Sequence, residues 1–258
     1  MNEMLDLYTD YLISQNGLAT ATGLSDLTCG EISHDKVTRF LNSDELTSKD
    51  LWRYVKKDVK KAEATDDGVL ILDDSIEEKP YTDENDIICW HHSHAKGCHV
   101  KGVNLLSCLV RYGDLSYPVG YEIIHKTIRY CVIKTKKETR KSEITKNEYF
   151  RNLVLKSSNN NIKFKYVLAD NWFGSKENME FLHNMNKLFI IGIKSNRTIA
   201  LNKEDKLNGK FTQVQSIDIK EDIATTVWLK GIDFPLTLIK KVFKNENGTE
   251  GILHLISN

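Results

Sequence analysis

Two short apolar runs, each followed at once by aspartate, constrain the fold of this chain most. Residues 69–72 read VLIL and residues 166–169 read YVLA. Unbroken runs of this length are typical of strands buried on both faces, in the middle of a sheet. Active sites in α/β sheets gather at the carboxyl ends of strands. We therefore expect Asp73, Asp74 and Asp170 to converge at one edge of a central sheet.

Converging carboxylates indicate a bound cation. A carboxylate held beside another is destabilised unless a cation or a proton compensates its charge. Oxygen ligands with partial hydration favour Mg²⁺ or Mn²⁺, so Asp73, Asp74 and Asp170 are candidate ligands of such an ion. The alternative is that these aspartates are turn or cap residues, because strands often end at Asp.

The pattern along the chain predicts a mixed α/β fold in three parts. Residues 1–65 are predicted to be helical, with Ser33 and Thr47 or Ser48 as N-caps. Residues 66–197 alternate strands and helices, and residues 198–258 are rich in strands and turns. Helices are predicted at 145–158 and 175–186, the second capped by Ser175. Further strands are predicted at 101–111, 115–124, 188–193, 213–219, 224–229, 236–243 and 251–256.

Charge is unevenly distributed along a chain whose formal net charge is zero. Residues 126–165 hold twelve Lys or Arg against three Glu, whereas acidic residues concentrate between residues 66 and 86. Opposed patches of this kind suit a basic track beside an acidic centre, although a solvated lysine-rich face gives the same pattern. The candidate phosphate-contacting residues are Lys96, Lys101, Lys136, Lys137, Arg140 and Lys141.

A histidine-rich segment offers a second candidate site. His91, His92, His94, Cys98 and His99 lie in CWHHSHAKGCH, and such residues bind zinc. The spacing matches no recognised four-ligand pattern, so a hairpin near the acidic centre that faces phosphates is the preferred interpretation.

Other functional classes lack their motifs. The sequence has no GxSxG, P-loop, GxGxxG or HExxH motif, which leaves serine hydrolases, nucleotide-binding enzymes and zinc proteases unsupported. Five cysteines without CxxC spacing, and an N-terminus unlike a signal peptide, predict a reduced cytoplasmic protein. No apolar run approaches the ~20 residues of a membrane helix.

Four segments together resemble a known family. They are LILDDSIEEKPYTDENDIICWHHSHAKG, KGVNLLSCLV, YVLADNWFGSKENMEFL and LFIIGIKSNR. In this order they resemble the insertion-sequence transposases of the Asp-Asp-Glu superfamily, in the bacterial cut-and-paste branch. The resemblance runs from about residue 69 to the C-terminus and extends more loosely over the helical N-terminal region. It implies a ribonuclease-H-like mixed sheet with flanking helices, a DNA-contacting N-terminal region (1–65), a catalytic core (66–197) and a β-rich insertion (198–258).

The resemblance also implies specific site residues and partners. The first catalytic carboxylate falls on Asp74, with Asp73 as the alternative, and the second falls on Asp170. The cofactor would be Mg²⁺ or Mn²⁺. The partners would be double-stranded DNA, as element ends and target, and a second copy of the chain, with the protein associated with the nucleoid when bound.

The third carboxylate of the family is a Glu on a helix after the β-rich insertion, in a Tyr-x-x-Arg-x-x-x-Glu setting. The sequence contains no such segment. Glu246 and Glu250 flank a predicted hairpin turn at Asn247-Gly248 and do not substitute for it. The expectation is a truncated copy with little strand cleavage. A DNA-binding or regulatory fragment, a non-functional remnant and a zinc-dependent nuclease are the alternatives.

Overall fold

The computed structural model describes residues 3–43, 46–63, 67–93, 96–134, 136–245 and 248–258. Within these ranges the α-helices are α1 (Glu3–Ser14), α2 (Ala21–Leu27), α3 (His34–Leu41), α4 (Ser48–Ala62), α5 (Lys146–Asn159), α6 (Lys176–Asn184) and α7 (Lys203–Leu207). Two short 3₁₀ helices cover Asn171–Phe173 and Val214–Ser216. No helix in the described ranges is long and apolar enough to cross a membrane.

The strands outnumber the helices. They are β1 (Val69–Glu78), β2 (Ile88–Ser93), β3 (Cys98–Tyr112), β4 (Leu115–Ile123), β5 (Ile128–Val132), β6 (Lys137–Lys141), β7 (Tyr166–Ala169), β8 (Leu188–Ile193), β9 (Thr198–Ala200), β10 (Thr212–Gln213), β11 (Thr225–Leu229), β12 (Leu236–Lys244) and β13 (Glu250–Ser257). The predicted mixed α/β class, with a large mixed sheet and flanking helices, is confirmed.

The chain divides into two compact units, residues 1–47 and 48–258. In the first unit, helices α1, α2 and α3 enclose a small core of Tyr11, Leu24 and Val37. The Tyr11 hydroxyl donates to the carbonyl of Thr20 and accepts from the amide of Thr20, both at 3.1 Å. The first unit is thus a small helical cluster with its own core.

The second unit is built on one large sheet and also contains α4, which lies within the predicted N-terminal region 1–65. The strand order is β10-β9-β11-β12-β13-β8-β7-β1-β3-β2, and β4 also pairs with β3. The β5–β6 hairpin forms a separate two-stranded sheet. The C-terminal strands continue the main sheet, because β13 pairs antiparallel with β8.

The two apolar runs lie side by side at the centre of this sheet. β1 and β7 are parallel, and their register places Leu70 beside Val167 and Leu72 beside Ala169. Leu70 and Val167 are 0% exposed and belong to the main core. Because side chains alternate between the two faces of a strand, this register determines which polar side chains meet beyond the core.

Helix α5 covers part of the core, matches the predicted helix 145–158 to within one residue at each end, and begins with a capping box. The Thr145 side chain accepts from the amide of Glu148, and the Glu148 side chain accepts from the amide of Thr145, which completes a capping box. Phe150 on α5 is fully buried, and its ring stacks on that of Phe173 with centroids 5.1 Å apart. The helix therefore begins where its cap is and packs through its apolar face.

One predicted strand is wrong. Residues 213–219 do not form a single strand, since β10 ends at Gln213 and Val214–Ser216 is a 3₁₀ helix. The amides of Val214 and Gln215 donate to the carbonyls of Arg197 and Ser195. A spacing of three residues brings Val214 and Ile217 to one side of a 3₁₀ turn, which a strand would not do. At the predicted 247–248 turn, Gly248 has φ +79°, whereas Glu246 and Asn247 lie outside the described residues.

Candidate functional site

The strand register brings one carboxylate of β1 next to the carboxylate that follows β7. The last paired residues of these parallel strands are Leu72 and Ala169, so Asp73 on β1 lies level with Asp170, the first residue after β7. Asp170 then caps the following 3₁₀ helix, where its Oδ1 accepts from the amide of Trp172 at 2.9 Å. Asp73 and Asp170 therefore meet where β7 ends. The prediction that Asp73 and Asp74 lie at the carboxyl end of their strand is wrong, because β1 stays paired with β3 as far as Glu78. We call the region of Asp73, Asp74 and Asp170 the acidic edge.

The electrostatics of Asp73 reflect this neighbour. Its side chain reaches solvent, but partial burial raises the pKa of the carboxyl, and the negative charges of Asp170 and Asp74 raise it further. A hydrogen bond from the amide of Asp74 to Oδ1 of Asp73, at 2.9 Å, and the charge of Lys146 act in the opposite direction. A carboxylate whose ionisation is opposed in this way gains from a nearby cation.

Asp74 has different surroundings, because alternate residues of β1 face opposite sides of the sheet. Its Oδ2 accepts from the Lys146 ammonium at 2.5 Å and from Nδ2 of Asn104 at 2.8 Å. The side chains of Asp74 and Lys146 are 17% and 22% exposed, so this ion pair is largely withdrawn from water. The two adjacent aspartates are therefore held by different partners.

Asn104 contributes an acceptor that the described residues leave unpaired. The residue is fully buried on β3, and its Oδ1 has no hydrogen-bond partner within the described part of the chain. A buried acceptor without a partner costs about 1–3 kcal/mol, so it calls for a donor or a ligand. Its position beside Asp74 adds a neutral oxygen to the acidic edge.

The donor set fits a hard divalent cation. Carboxylate and amide oxygens are the ligands that Mg²⁺ takes in proteins, with water and phosphate completing its coordination. Among the described residues, no three His, Cys, Asp or Glu side chains form a group that could hold a metal by themselves. The chain would therefore hold such an ion through Asp73 and Asp170, with water or substrate oxygens in the remaining positions.

An exposed tryptophan and two lysines border the acidic edge. Trp172 is 41% exposed, and the ammonium groups of Lys146 and Lys194 lie 5.7 and 5.5 Å from its ring centroid. Sequence reasoning missed Lys146, Lys194 and Asn104 as site residues. Only the position of Trp172, two residues after Asp170, was a visible signal, since the contact of Lys146 with Asp74 spans 72 residues.

A cleft of about 700 Å³ adjoins the same edge through Asn171. Its lining includes Lys194, Ser195, Lys240 and His254, and none of the lining residues that the structure describes is acidic. Burial and the charge of Lys240 lower the pKa of His254. The cleft thus presents cationic and neutral polar groups beside an acidic pair.

The basic residues predicted to contact phosphates differ in their exposure to solvent and in their ion pairs. Lys136, Lys137 and Lys141 are exposed at the β5–β6 hairpin. The side chain of Arg140 is only 8% exposed and pairs with Glu84 and Asp86. Arg140 therefore holds the hairpin to the segment before β2, whereas the three lysines are among its solvent-facing cations.

Lys96 and Lys101 lie on the neighbouring β2–β3 hairpin. The Lys96 ammonium lies 2.6 Å from Oε1 of Glu78, and Lys101 is half-buried on β3. Lys96 is thus already paired with an acidic group. Lys96 and Lys101 both lie near the acidic strand β1.

The histidine-rich segment is divided between the two faces of the β2–β3 hairpin. His91 is 4% exposed, and its Nε2 lies 3.3 Å from Sγ of the buried Cys89. Burial, with the charges of Lys126 and Lys146, lowers the pKa of His91 to about 4. His92 and His99 are exposed, with ring centroids 5.2 Å apart.

This arrangement does not bring the predicted zinc ligands together. Cys98 is exposed, and His94 lies outside the described residues. Sequence reasoning missed Cys89 as the neighbour of His91, although alternation along β2 places them two residues apart on one face. The neutral imidazole beside a buried thiol is therefore a structural pair.

Comparisons with known proteins bear on the family. The model of the family described as DDE superfamily endonuclease matches residues 1–208. The solved Drosophila P element transposase strand transfer complex is 11% identical with a TM-score of 0.35, covering 72% of this chain and 37% of that chain. Kluyveromyces polysporus Argonaute with a guide RNA is 13% identical with a TM-score of 0.26, covering 89% of this chain and 26% of that chain.

These structural similarities are too low to support an argument, and this chain spans well under half the length of either protein. A search of curated proteins gives no significant match. The family match stands by itself, because it covers far more than half of the 258 residues. The chain belongs to the family of DDE superfamily endonucleases.

Proposed function

We propose that this chain is a DNA transposase of the insertion-sequence kind, which cleaves and transfers DNA strands with a divalent cation. The observation that carries the proposal is the placement of Asp73 and Asp170 on adjacent parallel strands, in a member of the DDE superfamily endonuclease family. The order of motifs around these aspartates supports the finer assignment to bacterial cut-and-paste elements.

Three aspartates are the proposed ligands of Mg²⁺ or Mn²⁺. Asp170 and Asp73 are neighbours at the sheet edge, and Asp74, the first catalytic carboxylate by resemblance, is the adjacent residue with Lys146 as its present counter-ion. A bound ion of this type activates a water or a 3′-hydroxyl and stabilises the leaving oxygen in phosphoryl transfer. Because the described residues form no group of three His, Cys, Asp or Glu side chains that could hold a metal, we expect slow cleavage by this chain alone.

The surrounding cations would bind the DNA backbone. Lys194 and Lys240 line the cleft beside Asp170, and the exposed lysines of the β5–β6 hairpin lie on the same compact unit. Lysine contacts to phosphates give affinity that falls with salt and carries little sequence information. The partners are thus double-stranded DNA, as element ends and target, and a second copy of this chain.

The proposal is tested by replacing Asp170 with Asn. We expect Asp170→Asn to abolish Mn²⁺-dependent nicking of a labelled DNA duplex and to weaken Mg²⁺ binding measured by calorimetry without DNA. Asp114→Asn is the matched control, since Asp114 lies fully exposed at the β3–β4 turn. Nicking and metal binding that survive Asp170→Asn as they survive the control would refute the catalytic proposal.

A second candidate is a DNA-binding module without catalysis, favoured because the described residues contain no group of three His, Cys, Asp or Glu side chains that could hold a metal. It requires DNA binding in the presence of a chelator. Replacing Lys136, Lys137 and Lys141 with Ala should reduce the slope of log K against log salt by about 3, because each phosphate that a lysine neutralises contributes ~0.9 to that slope. An unchanged slope would show that the hairpin lysines do not bind phosphates.

A further inference from the structure

One carboxylate oxygen of the acidic edge accepts hydrogen bonds from one charged donor and one neutral donor. Oδ2 of Asp74 accepts from the charged Lys146 ammonium and from the neutral amide of Asn104. The Asp74 side chain is only 17% exposed, so little water is left to stabilise its charge. Lys146 is therefore the counter-ion of Asp74, whereas Asn104 orients the carboxylate without neutralising it.

Lys146 also contacts an aromatic ring in the position in which it pairs with Asp74. Its ammonium lies 5.7 Å from the ring centroid of Trp172, a ring that is 41% exposed and that also faces Lys194. A cation over a tryptophan face is attracted by the electron density of the ring. The side chain can therefore leave Asp74 for the border of the cleft without becoming an isolated buried charge.

A divalent cation at this edge would compete directly with that ammonium. Asp73 lies level with Asp170, and the charges of both Asp74 and Lys146 act on Asp73, so all of these groups share one electrostatic environment. Two positive charges added there would repel the ammonium and attract the Asp74 carboxylate. A divalent cation and the Lys146 ammonium would therefore compete for the Asp74 carboxylate.

We propose that Lys146 is a built-in cation that withholds Asp74 from divalent metal, and that metal binding releases it toward Trp172, where it meets a DNA phosphate. Asn104 keeps the carboxylate in place during the exchange through its Nδ2, while its buried Oδ1 has no hydrogen-bond partner within the described residues. Because coupling between two ligands is reciprocal, a phosphate that draws Lys146 away would tighten metal binding by the same factor. The inference rests on the metal site of the proposed function.

The experiment measures Mg²⁺ binding by calorimetry on the 258-residue chain without DNA, so that it does not depend on cleavage. Lys146→Met removes the charge, Lys146→Gln is a second neutral variant, and Lys146→Arg retains the charge. We expect the neutral variants to bind Mg²⁺ tighter by about 5- to 150-fold, the usual range of coupling between sites. Lys146→Arg should remain close to the unsubstituted chain.

Lys146→Met in an Asp74→Asn background tests whether Lys146 acts on Mg²⁺ affinity through Asp74. With Asp74 neutralised there is no carboxylate to withhold, so Lys146→Met should leave Mg²⁺ affinity unchanged. Tightening of equal size in both backgrounds would overturn the inference, because it would reflect general electrostatics. Unchanged or weaker binding in both neutral variants would also overturn it, and thermal unfolding verifies that each variant is folded.

Tryptophan fluorescence gives an independent readout of the movement. Mg²⁺ should change the emission of Trp172 in the unsubstituted chain, and Trp172→Phe or Lys146→Met should remove that change. Trp52, Trp90 and Trp228 remain in the Trp172→Phe control. If no variant binds Mg²⁺, the proposed metal site fails together with the inference; if the unsubstituted chain binds and Lys146→Met binds equally, only the inference fails.

Discussion

Acidification should destabilise the second compact unit through His91. The residue is 4% exposed on β2, beside the thiol of Cys89. Burial, reinforced by the positive charges of Lys126 and Lys146, lowers its pKa from 6.5 to about 4. In the unfolded chain the imidazole regains its ordinary pKa, so its proton is bound more readily in the unfolded state than in the folded one.

The difference between the folded and unfolded pKa of His91 sets the direction and the size of the change in stability with pH. Between pH 6.5 and about pH 4 the unfolded chain binds more protons at this position, so the free energy of unfolding falls as the pH falls. The full loss is roughly 3 kcal/mol below pH 4, and about 2 kcal/mol of it is reached at pH 5. This is a large part of the stability of an ordinary domain.

The assay compares urea unfolding of the unsubstituted chain and His91→Gln at pH 7 and pH 5, followed by tryptophan fluorescence. Trp52, Trp90, Trp172 and Trp228 all lie in the second unit, so the signal reports that unit. Glutamine keeps a polar group and does not titrate, and other titrating groups are common to both chains. Equal losses of stability on acidification in the two chains would refute the reasoning.

Three further predictions concern stability. Asp73→Asn should raise the Tm in a metal-free buffer at pH 7, because burial and Asp170 oppose ionisation of Asp73; a lower Tm would contradict this. Thr145→Ala should lower the free energy of unfolding by about 1 kcal/mol in urea titrations, with Thr145→Ser as the control that keeps the cap of α5. Phe150→Ala should cost about 3–5 kcal/mol in the same assay, because Phe150 is 0% exposed and stacks on Phe173; a loss below about 1 kcal/mol would contradict the packing.

Local features were predictable where the cause lies within a few residues. Ser175 caps α6 as predicted, because a cap depends on a side chain and an amide three residues later. Thr145, predicted as the start of a helix, caps α5 in the same way. The conformation of residues 213–219 was not predictable from the sequence, because backbone hydrogen bonds to Ser195 and Arg197 in another segment determine it.

The β5–β6 hairpin also combines a feature that the sequence shows with features that depend on distant residues. A basic run was visible in the sequence, but its fold as β5 and β6 was not, because charged strands lack the apolar alternation that marks buried ones. Nor could the sequence separate Arg140 from Lys137. Arg140 is committed to Glu84 and Asp86, more than fifty residues earlier, whereas Lys137 faces solvent.

The sequence by itself determined the central sheet and the chemistry of its edge. Two apolar runs followed by aspartate predict buried strands with carboxylates beside them, because apolar burial and strand alternation act locally. The sequence did not show that β1 continues past its aspartates to Glu78. Only the tertiary structure decided that Asp73 lies next to Asp170 and that Asp74 is held by Lys146 and Asn104. The physical reason is that register and packing between distant segments, which no local pattern encodes, select the partner of each charge.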